Sequence, residues 1–226
     1  LTPKFDALSI RKYVSFSFPI TFHVLGLLLL ASIDRFFIAS YLGAEQVGYY
    51  TITYSFALVI GVIHDAALKA LNPLFFRHIA KNDPQSNKKI VLATYLYGAL
   101  AFLLLALFAL IGPWIFQALV SDQYHSAVSI LTIIAAAYTL EGIRKGICGY
   151  LYHSNRSWLI AGLTGVAAAF NAGANMLLIP KYGLTGAAIA TAGSFGVVLV
   201  LTSYYAYRTH PMPWREALLG LGRSQD

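Results

Sequence analysis

Long apolar runs separated by short polar or Pro/Gly breaks dominate this chain. A run of about 20 mostly apolar residues, wound as a helix, crosses about 30 Å of hydrocarbon. Six runs qualify, at residues 16–42, 47–79, 90–111, 126–152, 158–179 and 184–207. The breaks read "YLGAEQVG", "RHIAKNDPQSNKK", "GPWIFQALVSDQYH", "YHSNRSW" and "IPKYG", each rich in turn-forming or charged residues. The pattern predicts an all-α membrane protein: a six-transmembrane-helix bundle over 16–207, an amphipathic lead-in over 1–15 and a tail over 208–226.

Composition narrows this picture. Hydrophobic residues make up 58% and charged residues 11% of the 226, where soluble domains carry about 25% charged residues. Mean hydropathy is +0.65, so a lipid bilayer is the expected surrounding partner. The net charge of +7 does not point to nucleic acid, because the basic residues fall in short clusters between apolar runs. Eleven of them lie on one side of the predicted bundle: Lys4, Arg11, Lys12, Arg77, Lys81, Lys88, Lys89, Arg156, Arg208, Arg215 and Arg223. The opposite side has Lys181. Positive loops stay inside, which places both termini in the cytoplasm.

A lone cysteine, Cys148, excludes an intrachain disulfide and a multi-cysteine metal site. Phosphate-binding loops, zinc spacings and nucleophile elbows are absent from the sequence, so neither an enzyme nor a bound cofactor is expected. The chain begins with Leu and carries no cleavable signal, and the start of the natural protein is expected upstream.

Seven charges fall inside the apolar runs: Asp34, Arg35, Asp65, Lys69, Glu141, Arg144 and Lys145. A charge at mid-bilayer costs about 2.5–3.5 kcal/mol by insertion scales, so each needs a partner or water. Asp65 precedes Lys69 by one helical turn, the favourable order for a pair within one helix. Tyr54, Gly61 and Asn72 share their stripe. Glu141 is spaced to pair with Arg144 or Lys145, and one acid leaves one cation over. Asp34 shares a stripe with His23, while Arg35 points about 100° away, so the two do not pair with each other. Asn171 and Asn175 align on the fifth run as hydrogen-bonding positions. Ion pairs packed among helices or a wet pathway both account for these residues.

Asp34-Arg35 stands before Gly43, Gly48 and Tyr50, and "LNPLFF" precedes a basic loop. "LIPKYGLTGAAIATAGSFG", with Pro180, Gly183, Gly186 and Ala187, opens the last run. Together these resemble the second half of an oligosaccharide flippase of the multidrug/oligosaccharidyl-lipid/polysaccharide exporter superfamily. The resemblance implies one lobe of a two-lobe exporter whose N-terminal six-helix lobe is the missing partner. It further implies alternating-access flipping of a polyprenyl-diphosphate-linked oligosaccharide in a bacterial inner membrane. In that reading Arg35, Lys69, Arg144 and Lys145 line the cleft and meet the diphosphate. Asp34, Asp65 and Glu141 hold the cations, and His23, Tyr54, Asn72, Asn171 and Asn175 supply polar lining. A cation-coupled multidrug exporter lobe and a non-transporting scaffold for polysaccharide assembly remain as alternatives.

Overall fold

A computed structural model describes residues 17–18, 21, 24–25, 32–81, 83–154, 156–214 and 217. The described residues are helical almost throughout: α1 over 32–42, α2 Ala44–Ile79, α3 Pro84–Leu119, α4 Leu131–His153 and α5 Ser157–Thr209. A 3-10 turn, Asp122–Ile130, leads into α4. Four of these helical stretches are long and apolar enough to cross a membrane, as befits a membrane protein.

The expectation of six spanning helices is not met as six separate helices. The described part of α1 is short, and the fifth and sixth runs form the single element α5, with no loop between them. Fifty-three straight helical residues would extend about 80 Å, far beyond a bilayer. The helix instead breaks at Gly183, whose φ of 58° and ψ of −136° suit glycine and few other residues. Beyond the break the chain folds back, so closely that a Cβ on Gly186 would overlap the Leu178 carbonyl. The interfacial loop expected after residue 111 is also helical, since α3 continues through Pro113 to Leu119.

Local sequence explains the helix ends. Gly43, at φ 92°, makes the turn between α1 and α2. Asp83 caps α3 by accepting the Ser86 amide at 2.8 Å, and Pro84 occupies the first helical position, where no amide is needed.

Small residues set the packing. α2 and α4 run in the same direction, with Gly61 against Tyr138, Gly142 against His64 and Gly149 against Phe75. These glycines let the two helices approach where a larger side chain would collide. α3 runs against both, its Thr94 hydroxyl 2.8 Å from that of Tyr150. Only 17% of its most apolar stretch is buried, which makes it the outermost of the long helices. Two apolar clusters fill the bundle. One, with Ile38, Tyr50, Ile134 and Ile179, lies near the Gly43 and Gly183 turns. The other, with Ile79, Ile90, Tyr150 and Leu151, lies near the opposite end.

Candidate functional site

The intramembrane charges other than Arg35 sort into two places. The first is a cleft of about 350 Å³ between α2 and α4, lined by Asp65, Lys69, Asn72, Arg144, Lys145, Cys148 and Tyr152, with Leu68 as wall. Helical spacing brings these together: Asp65, Lys69 and Asn72 are successive turns of α2, and Arg144, Cys148 and Tyr152 are successive turns of α4.

The pairing within the cleft differs from the expected one. Asp65 accepts a hydrogen bond from Lys145 Nζ at 2.6 Å, across the two helices, in place of pairing with Lys69 on its own helix. Parallel packing of α2 and α4 brings this partner closer than a turn of α2 does. Glu141 takes Arg144, with Nε and Nη2 each donating at 2.6 Å to one carboxylate oxygen. Arg144 Nη1 then donates to Cys148 Sγ at 3.1 Å. Among the described residues Lys69 has no ion-pair partner, so the cleft carries one cation in excess.

The two pairs differ in surroundings. Arg144 and Glu141 are 3% and 8% exposed, a buried two-pronged pair, whereas Lys145 and Asp65 are 35% and 47% exposed. A pair open to water is worth at most about 1 kcal/mol and separates readily. Breaking a buried pair by removing one partner costs about 3–5 kcal/mol. The arrangement gives a fixed positive wall at Arg144 and two adjustable ammonium groups at Lys69 and Lys145.

The second place is a buried polar network at the other end of the bundle. Asp34 is fully buried, and among the described residues no ion pair to it is seen. Its carboxylate accepts from Asn175 Nδ2 at 2.6 Å, Thr191 Oγ1 at 2.6 Å and Tyr50 Oη at 3.0 Å. Asn175 also donates to Asn171 Oδ1 at 2.9 Å. Asn175 and Thr191 would stand about 24 Å apart along a straight helix, so the fold-back at Gly183 is what lets both reach one carboxylate. Desolvation works against a lone buried charge, and three donors counter it.

Arg35 lies outside the cleft. Its Nε donates to Thr51 Oγ1 at 3.1 Å and its guanidinium sits 4.8 Å over the Tyr54 ring. Tyr54 lies between Tyr50 and Tyr138, its ring tilted against the first and edge-on to the second. Of the residues singled out in the sequence, the structure therefore groups Lys69, Arg144, Lys145, Asp65 and Asn72, with Glu141 behind them. It groups Asp34, Asn171 and Asn175 separately, and His23 lies outside the described residues. Periodicity on single helices missed Tyr50, Thr191 and Thr51. Each is an ordinary hydrogen-bonding residue whose role depends on a partner from a different helix.

Fold and charge pattern thus define a multi-pass membrane protein that keeps ionised groups within the bundle. Residues 3–79 match the family described as polysaccharide biosynthesis protein. Over 174 residues, 76% of this chain, it is 24% identical to the probable low-salt glycan biosynthesis flippase Agl15 of the archaeon Haloferax volcanii. The chain spans 37% of that relative's length. No solved structure matches. The chain is thus similar, over residues 3–79, to polysaccharide biosynthesis proteins and, more distantly over most of its length, to a glycan biosynthesis flippase.

Proposed function

We propose that this chain is the C-terminal lobe of a flippase that carries a polyprenyl-diphosphate-linked oligosaccharide from the inner to the outer leaflet by alternating access. Residues 16–207 form the lobe, and the two limbs of α5 on either side of Gly183 count as its fifth and sixth spans. A second six-helix lobe is its partner, and both termini face the cytoplasm. The observation that carries this reading is the α2–α4 cleft. It holds Lys69, Arg144 and Lys145 together at one end of the bundle with a single excess positive charge. Ammonium and guanidinium groups are what a diphosphate needs once it leaves bulk water. Lys145 exchanges Asp65 for a phosphate oxygen at little cost, because its pair is half open. Arg35 holds its own helix to α2 and takes no part in the cleft.

Asp34 serves a different purpose in this proposal. A buried carboxylate held by three neutral donors, and attached to α1, α2 and both limbs of α5, is placed to sense a proton or a small cation. Occupancy would change how those elements hold together. A drug exporter would favour an acid-rich, cation-binding cleft, and the excess of base in the α2–α4 cleft speaks against it. The scaffold alternative gives the cleft no task.

The test uses the full-length protein in cells lacking their own copy. Lys69→Gln with Lys145→Gln is expected to reduce surface-glycan export at least tenfold with normal membrane insertion. Asp34→Asn is expected to uncouple residual export from the ion gradient. Undiminished export in the double variant would exclude the cleft and favour the scaffold.

A further inference from the structure

A second hollow, about 630 Å³ and mostly apolar, runs between α2 and α3 with α4 as its floor. It lies on the other side of the α2–α4 seam from the charged cleft, with Leu68 and Asn72 shared between the two walls. Two hydroxyls along the hollow are already engaged. The Thr94 hydroxyl is bound to the Ile90 carbonyl and to Tyr150, and the Tyr97 hydroxyl to the Gly142 carbonyl and to His64. Apart from His64, Asn72 and the basic pair at one end, what remains facing the hollow is mostly carbon.

Its mouth is basic. His78 from α2 and Lys89 from α3 line one end, where Arg77, Lys81 and Lys88 also cluster. From there the hollow reaches Ile63 on α2 and Leu104 on α3, about 22 Å along each helix. One leaflet contributes about 15 Å of hydrocarbon, so that length accommodates one chain together with its headgroup region. We infer that this groove is a binding site for an anionic phospholipid, with one acyl chain between α2 and α3 and its phosphate at Lys89 and His78. The site is distinct from the transport cleft and would hold α3, the least buried of the long helices, against the bundle.

The test is native mass spectrometry of the full-length protein with phosphatidylglycerol and phosphatidylcholine of identical chains. Wild type is expected to retain phosphatidylglycerol about fivefold better, the preference of one basic group near a headgroup. Lys89→Glu changes an exposed side chain, so it leaves folding alone, and it is expected to abolish the preference. Ala93→Phe, on an exposed position inside the hollow, is expected to lower retention of both lipids. Equal retention of the two lipids by wild type, or a preference that survives Lys89→Glu, overturns the proposal.

Discussion

Arg144 and Lys145 are neighbours on α4, yet their charges live in different media. Arg144 is nearly enclosed with Glu141, while Lys145 leans over the cleft rim towards Asp65. Deleting the acid should therefore have very unequal consequences at the two sites. Glu141→Gln leaves a buried guanidinium without its counter-charge and is expected to destabilise the protein by about 3–5 kcal/mol. Asp65→Asn is expected to cost less than about 1 kcal/mol, because water replaces the lost carboxylate. Thermal unfolding of the two variants in detergent checks the difference, and similar losses would show that the two pairs are equivalent. At this scale the sequence was partly readable. Spacing on one helix offered Glu141 either Arg144 or Lys145, but Asp65 with Lys145 depends on the register between α2 and α4, which periodicity does not contain.

Between helices, the glycines decide which surfaces meet. A methyl on Gly142 would run into the His64 ring, which is itself tied to Tyr97 at 2.9 Å and has little room to withdraw. Gly98, on α3, has nothing within 4 Å of such a methyl. Gly142→Ala is expected to cost about 1–3 kcal/mol through overpacking, and Gly98→Ala to stabilise by about 0.5–1 kcal/mol through helix propensity. Unfolding midpoints moving in the same direction would contradict this picture of the α2–α4 seam.

The start of α3 offers a pH test. The Ser86 amide bonded to Asp83 holds that carboxyl below its usual range. A group with a depressed folded-state value contributes stability above its unfolded-state pKa and loses it as pH falls through the folded one. The cap should hold at neutral pH and fail below about pH 4. Asp83→Asn keeps an oxygen acceptor and should remove that acid-dependent step, seen as amide exchange at residues 84–87. An identical acid profile in both proteins would contradict the capping role.

For the molecule as a whole, the apolar runs made the long helices legible, because length and hydropathy alone fix what can cross a bilayer. The turn at Gly183 shows the limit of that reading. Pro180 and Gly183 announced a break, but α5 continues through Pro180 and reverses at a single residue, without a loop. The same reversal hid the Asp34 network, since Asn175 and Thr191 sit in different apolar runs and meet only after the chain folds back. Arg35 likewise meets the Tyr54 ring and the Thr51 hydroxyl, partners on α2 that periodicity within α1 does not contain.

The central claim is that the adjustable lysines between α2 and α4 receive a diphosphate. Its most direct test is the affinity of the purified full-length protein for a short polyprenyl diphosphate. Lys69→Gln with Lys145→Gln should weaken binding at least about tenfold, each lysine contributing a charge-assisted hydrogen bond. Asp65→Asn should tighten it by releasing Lys145, and Arg35→Gln should leave it unchanged. Affinity that is indifferent to the lysine pair but falls with Arg35→Gln would place the ligand elsewhere in the bundle and contradict the assignment.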